Sequence, residues 1–386
     1  MRGKGHSCTR SDTGSMGRLL TVGCLSWAMV FMPLGVATGN AEEWAQATVP
    51  RVWEFPRDHG AHPEYRTEWW YFTGGLLDAS GNRYGYQLTF FRQGVRKGLP
   101  VQPNPWSVRD VYMAHFALTD VTSNRFLWTE RASRTGPGLA GADNSRMEVW
   151  VLNWRVKMEG DQITLDAVDG QKGLILRLMP TKPVVLHGEG GLSRKGAREG
   201  QASYYVSLTA LETTGLIKTG PDSQAVEVRG TSWFDHEFGS NQLGPDQRGW
   251  DWFGLHLSDG RDLMIYHLRR EDGSVDAASS GTLVERDGTS LHLPLDRFAI
   301  DVLGYWRSPK SPALYPSGWR IRVPSSDLDV HIAPLLPDQE LLAESTTGIV
   351  YWEGVVGGRG SSKGQPVSCQ GYAELTGYAG SMGAAF

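Results

Sequence analysis

The chain has 386 residues, with 48 glycines, 20 prolines, 15 tryptophans and 13 tyrosines, and a formal net charge of -4. Such a balance offers little to phosphate backbones or anionic lipid, which argues against nucleic acid as a partner. The length suits two domains that each bury a core, and the glycine, proline and aromatic content suits short strands joined by turns.

In chain order, Arg2, Lys4, Arg10 and Arg18 precede an apolar run from Leu19 to Ala37 that ends in Gly39-Asn40-Ala41. This is the layout of a secretory signal peptide, so residues 1–41 read as a leader and the mature protein as exported, to the periplasm or beyond. The alternative is an uncleaved anchor through residues 19–37, because the run approaches the ~20 residues that cross a bilayer. Cleavage removes Cys8 and Cys24 and leaves Cys369 alone, so no intrachain disulfide and no membrane span are expected in the mature chain.

From Trp69 the text reads as hairpins. Trp69 to Leu77, a turn at Asp78–Asn82, and Arg83 to Arg92 make one; Trp250 to Leu257, a turn at Ser258-Asp259-Gly260, and Asp262 to Arg269 make another. The two share one design and read as a weak internal repeat. Further strands are expected at Val111–Thr119, Arg146–Lys157, Leu174–Met179 and Ser203–Glu212, and no stretch sustains a helical apolar period. The polar segment Thr214–Ser223 is the best linker, placing a boundary near residues 215–230 and giving an N-terminal domain over 42–225 and a C-terminal one over 226–386. The fold class is mainly β, two tandem antiparallel barrels, broad enough to enclose a cavity.

Two clusters crowd ionisable groups against aromatics: Asp58-His59-Gly60 with His62, Glu68 and Trp69-Trp70-Tyr71, and Trp233-Phe234-Asp235-His236-Glu237-Phe238-Gly239 with Trp250-Asp251-Trp252. A carboxylate or imidazole against indole rings is partly desolvated, which moves its pKa toward neutrality, and aromatic faces stabilise a developing cation. Equally, aromatics at strand starts fill cores and Asp-His pairs cap turns. His59 and His62 lack a third ligand, so no metal is expected. His115, in Met113-Ala114-His115-Phe116, reads as part of an interior wall. A Gly-x-Ser-x-Gly elbow, a Gly-Lys phosphate loop and a Rossmann fingerprint are all absent from the sequence.

These segments, with Tyr351-Trp352-Glu353-Gly354 and Gly371-Tyr372-Ala373-Glu374-Leu375-Thr376-Gly377-Tyr378, resemble the lipocalin-like family that groups carotenoid 1,2-hydratase with the AttH-like secreted proteins. Many of its members are labelled predicted secreted hydrolases. The resemblance spans residues 55–380 and implies two lipocalin-like β-barrel domains with a ligand cavity in or between them. In the hydratase branch it implies cofactor-independent addition of water across a carbon–carbon double bond. His236 resembles that branch's histidine, but Phe238 stands where a tryptophan is expected, and His267 and Leu268 stand where an aspartate is expected.

The expected function is therefore binding of an apolar small molecule, an isoprenoid among the candidates, with hydration of its double bond. The alternatives are a non-enzymatic lipid carrier of the bacterial envelope and a secreted hydrolase. Asp235, His236 and Tyr266 are the expected catalytic residues. Trp69, Trp70, Tyr71, His115, Trp233, Trp250 and Trp252 are the expected ligand-binding residues, with no cofactor. Both Asp235 and His236 reach one cavity only if Trp233–Gly239 bends or bulges, since neighbours on a regular strand face opposite ways. N-terminal sequencing of exported protein is expected to start at Glu42 or a near neighbour; a chain that starts at Met1 and pellets with membranes identifies an anchor.

Overall fold

The structure, a computed structural model, describes residues 43–97, 104, 106–170, 172–380 and 382. The leader expected over residues 1–41 lies outside them. Glu42–Phe386 form one compact unit. Among the described residues there is no α-helix, only strands and three short 3-10 turns, and no helix is long and apolar enough to cross a membrane.

The first sheet starts with β1 (Thr67–Asp78), β2 (Arg83–Gly94), β3 (Asp110–Asp120), β4 (Arg125–Arg134), β5 (Ala140–Ala142), β6 (Glu148–Val151) and β7 (Trp154–Glu159). It continues through β8 (Gln162–Val168), β9 (Gly173–Pro180), β10 (Val185–Leu186), β11 (Leu192–Arg194), β12 (Ala202–Lys218) and β13 (Val226–Asn241). Its order is β4-β3-β2-β1-β13-β12-β9-β8-β7-β6-β5, with β10 and β11 pairing with β12. Contacts of β4 with β5 and β6 nearly close it into a barrel.

The second sheet comprises β14 (Gln247–Leu257), β15 (Asp262–Arg270), β16 (Ser280–Val284), β17 (Ser290–Pro294) and β18 (Ala299–Val302). A separate hairpin, β19 (Tyr305–Arg307) with β20 (Leu314–Pro316), precedes β21 (Trp319–Val323), β22 (Leu328–Pro334), β23 (Glu340–Ala343), β24 (Ile349–Ser362) and β25 (Gln365–Leu375). The order is β17-β16-β15-β14-β25-β24-β22-β21-β18, with β23 on β24.

Both expected hairpins form, β1 with β2 and β14 with β15. Their turns carry Gly81 and Gly260 at φ of 82° and 88°, a region that glycine enters without steric cost. The boundary expected near 215–230 is displaced. Thr214–Ser223 is the end of β12 and the turn into β13, and β13 lies between β1 and β12 in the first sheet. Polar, glycine-bearing text marks a hairpin turn as readily as a linker. The chain crosses between sheets at residues 242–246, so β13 belongs to the first half rather than the second.

Each sheet buries its own core on one face. Trp70, Phe72, Phe90, Phe116 and Trp154 fill the first, and Phe253, Trp319, Ile321 and Trp352 fill the second. The opposite faces of the central strands meet each other, with Tyr71, Tyr205, Trp233, Trp252, Tyr266, Val355 and Tyr372 packed between. A Cβ on Gly85 would lie 2.7 Å from Tyr372 Oη and 2.8 Å from Val355 Cβ, so glycine at that point lets the sheets approach.

On the inner face of the first sheet a buried ion network holds residues 58–68 against the strands. Arg92 Nε donates to Glu68 Oε2 at 2.9 Å and its Nη1 to Asp110 Oδ1 at 3.0 Å, while Nη2 donates to the carbonyls of His62 and Tyr65. Glu68 Oε1 also faces His62 Nδ1 and His236 Nε2, each at 2.9 Å. Burial opposes the charge on Glu68, but Arg92 together with the hydrogen bonds from His236 and His62 outweighs it and holds the carboxyl below its usual range. Removing one partner of a buried pair strands the other's charge, at about 3–5 kcal/mol. Arg92→Met is accordingly expected to lower unfolding stability by that amount in denaturant titration; a loss under about 1 kcal/mol would show the network to be dispensable.

Candidate active site

Strand alternation assigns every side chain of the central strands to one of two interiors. On β13, Trp233, Asp235 and Glu237 face the second sheet, while Phe234, His236 and Phe238 face the inner core. Pairing with β1 is regular from Gly239 back to Trp233, and pairing with β12 is regular from Gly239 to Phe234. The bend that would bring Asp235 and His236 to one cavity is therefore absent, and the expected pair is split across the sheet. His236 is buried against Trp70, ring centroids 5.0 Å apart, and donates through Nε2 to the ionised Glu68. Burial lowers its pKa, against the hydrogen bond to Glu68. Trp70 faces the same way, its Nε1 donating to the His59 carbonyl at 3.0 Å.

Between the sheets lies a cavity of about 80 Å³ as measured at the centre of a water-sized body, several times the roughly 10–15 Å³ that one water needs. Trp69, Tyr71 and Phe91 from the first sheet and Trp250, Trp252 and Tyr266 from the second form its aromatic walls. Asp235, Glu237, Glu353 and Glu374 bring four carboxyls to the lining, and Lys195 brings one ammonium.

Asp235 is held by neutral donors. Tyr205 Oη donates to Oδ2 at 2.6 Å, Trp233 Nε1 donates to Oδ1 at 2.6 Å, and Ser207 Oγ donates to Oδ1. Burial pushes the Asp235 pKa up to about 7, although these hydrogen bonds pull the other way. Trp252 Nε1 donates to Tyr205 Oη at 3.0 Å and ties the second sheet to this carboxyl. Ser207 Oγ gives its proton to Asp235, so the neutral His187, whose pKa burial lowers to about 3, donates to it from Nε2 at 2.7 Å. His187 Nδ1 then accepts from Thr282 Oγ1 at 2.9 Å, across the sheet interface.

Glu374 accepts from Trp250 Nε1 at 2.9 Å, and burial raises its pKa to about 7. Glu353 is its register partner on the next strand. Burial, then the charge of Glu374, raises Glu353 well above the carboxylate range. Its Oε1 and the Tyr71 hydroxyl are buried without a hydrogen-bond partner of normal geometry, though the two groups are near enough for each to influence the other. Lys195 Nζ lies 3.0 Å from Glu237 Oε1; burial would lower its pKa, but the acidic groups around it, Glu237 foremost, together outweigh that and raise it.

Of the expected residues, Asp235, Tyr266, Trp69, Tyr71, Trp250 and Trp252 meet in this lining. Trp70 and His236 lie behind it. Trp233 stands beside it as a donor to Asp235. His115 bridges the sheets next to it: burial keeps it neutral, with a pKa near 3, and Tyr351 Oη, a lining group, bonds its Nδ1 at 2.7 Å. The sequence reading missed Glu237, Glu353, Glu374, Lys195, Tyr205 and Tyr351 as site groups. Glu353 and Glu374 each interrupt an apolar strand, in Tyr351-Trp352-Glu353-Gly354 and Tyr372-Ala373-Glu374-Leu375, and a lone acid in such a strand was the available signal.

His62, Glu68 and His236 also group closely enough to suggest metal ligands. His62 faces a carboxylate from each ring nitrogen, Glu68 at 2.9 Å and Asp58 at 3.6 Å. Burial disfavours its charge, but the hydrogen bonds to Asp58 and Glu68 help raise its pKa, and both ring nitrogens are already turned to carboxylates, which disfavours a cation there.

Residues 46–378 match the family described as AttH-like. The chain belongs to the AttH-like family. The crystal structure of an AttH candidate from Nitrosomonas europaea is 34% identical, covering 86% of this chain and 99% of its own, with a TM-score of 0.77. A kievitone hydratase from Nectria haematococca shares the fold at 16% identity and a TM-score of 0.64, covering 88% of this chain and 97% of its own. No curated protein matches the chain in sequence. Membership of the AttH-like family bears out the resemblance and the pair of lipocalin-like halves.

The Tyr205 hydroxyl pulls the Asp235 pKa down by donating to it. Tyr205→Phe is expected to move that pKa further above 7 in a carboxyl NMR titration, whereas an unchanged or lower value would show the contact to be unimportant.

Proposed function

We propose that this AttH-like protein binds a compact apolar molecule, or one end of a longer isoprenoid, between its sheets and adds water across a carbon–carbon double bond. The observation that carries the reading is the pair of acids Asp235 and Glu374, both titrating near 7 in one aromatic cavity. A group that is half protonated at neutral pH serves equally as proton donor and acceptor.

The chain's own groups suffice for each step. The Asp235 carboxylic acid gives its proton to one alkene carbon, leaving a carboxylate and a carbocation on the more substituted carbon. Trp250, Trp252 and Tyr266 line the space around that charge, where aromatic rings stabilise it. Water then forms the new C–O bond, and Glu374 as carboxylate takes the proton it sheds. Return of that proton to Asp235 resets the site with one water consumed. Tyr205, between Asp235 and Trp252, orients the acid. His236, on the far face, has a supporting part through Glu68. The 34% identical protein from Nitrosomonas europaea carries no named substrate, and the likeness to kievitone hydratase is one of fold. Export through the leader of residues 1–41 is part of the proposal and rests on the sequence pattern alone.

Geraniol and farnesol are suitable first substrates, with gain of one water read by mass spectrometry. Asp235→Asn is expected to lower turnover by about 10²–10⁴-fold while binding, read by tryptophan quenching, is nearly unchanged. Because the acid form is needed, the wild-type rate should fall as pH rises above about 7. Binding with no hydration by wild-type protein would favour the lipid carrier.

A further inference from the structure

We infer that the cavity selects cations: it takes a compact apolar amine, protonated on nitrogen, in preference to a neutral molecule of the same shape. The inference rests on the site proposed above but not on its turnover.

The charge balance of the lining is uneven. Of its four carboxyls only Glu237 has a cationic partner, Lys195, at 3.0 Å. Among the described residues Asp235, Glu353 and Glu374 form no ion pair. The donors to Asp235 and Glu374 are hydroxyls and indoles, and Glu353 Oε1 has none. Glu353 and Glu374 are opposite one another on adjacent strands, where like charges repel. A cation set beside them lets Glu374 ionise while Glu353 keeps its proton and offers Oε1 as an acceptor.

An ammonium N–H also answers Glu353 Oε1, which is fully buried in the wall with no hydrogen bond of normal geometry, the neighbouring Tyr71 hydroxyl included. The aromatic rings of Trp69, Phe91, Trp250 and Trp252 line the same space, and an aromatic face turned to it attracts the same charge. Two independent features, an excess of unpaired acids and an unpartnered acceptor fully buried at the cavity, thus ask for one ligand chemistry.

The other ionisable groups around the space do not compete. Burial pushes the phenols Tyr71 on β1, Tyr205 on β12 and Tyr351 on β24 further up, so they stay neutral. Tyr266 on β15 contributes a phenol whose hydroxyl is engaged by Ser193 and Ser280. His187 and His115 are held neutral by burial. Lys195 keeps its charge against Glu237. The acids that change state near neutrality are Asp235 and Glu374, so cation binding expels a proton and tightens as pH rises through 7.

The test compares N,N-dimethylcyclohexylamine with isopropylcyclohexane, which replaces the nitrogen by carbon, on the intact mature protein. Tryptophan fluorescence gives affinity, and calorimetry in buffers of different ionisation heat gives the protons released. The amine, which stays protonated throughout, is expected to bind at least about tenfold more tightly than the hydrocarbon. It should bind about tenfold more tightly at pH 8 than at pH 6, with about one proton released. Glu353→Gln and, separately, Glu374→Gln should each erode the preference with an unshifted thermal melt. Equal affinities, failure of the amine to bind, or binding without proton release overturns the inference. Amine selection by a protein that hydrates no alkene leaves it standing and removes the hydratase reading; hydration without amine selection does the reverse.

Discussion

Burial of both faces of the central strands is the constraint from which the rest follows. From Ser232 to Phe238 every residue of β13 is buried, and the stretch from Asp251 to Leu255 on β14 is buried likewise. A strand in the usual half-exposed sheet sends its polar residues to water. These strands have no such face, so alternation distributes their polar groups between two dry interiors. Each group must find a partner inside or change its protonation state.

The two interiors answer that demand differently. On the inner side Glu68 is met by Arg92, by His62 and by the His62 backbone N–H, and it stays ionised. On the cavity side Asp235 receives neutral donors only and drifts toward protonation. The chemical identity of the carboxyl is nearly the same; the difference is whether a guanidinium stands on the next strand. The first arrangement fixes a chain segment in place, and the second leaves a proton that can leave and return.

Much of the fold was legible in the sequence, because hairpin turns, strand alternation and aromatic clusters are local signals. Glu68-Trp69-Trp70-Tyr71 and Trp233-Phe234-Asp235-His236 marked the right strands. They did not reveal which alternate residues belong to which interior, since an alternating pattern of apolar and polar residues carries that information only when one face is wet. Here Trp69, Trp70 and Tyr71 are all aromatic, and the register that places Trp70 apart from its neighbours comes from pairing with β2 and β13. Glu353 and Glu374 lie more than a hundred residues from Asp235, so their meeting depends on how two sheets pack. The misplaced boundary has a related cause: β13 returns to pair with β1 across more than 150 residues, and no local signal reports a pairing partner.

Placement of the cavity between the halves, rather than inside either barrel, has a mechanical consequence. Trp70, Phe72, Phe116 and Trp154 pack together as the core of the first barrel. The binding space moves to the outer faces, where neither half can complete it: Asp235 and Tyr205 come from one, and Glu353, Glu374 and Trp252 from the other. Cross-sheet hydrogen bonds from Trp252 to Tyr205, from Thr282 to His187 and from Tyr351 to His115 hold the halves in register, and Lys182 joins Asp262 at 2.7 Å. Two of the three hydrogen bonds end at a group that lines the cavity, Tyr205 or Tyr351. Sliding of one sheet over the other, by as little as one side chain, would therefore both reshape the cavity and strip Asp235 of the donors that set its pKa. Access and proton chemistry are coupled through the same contacts.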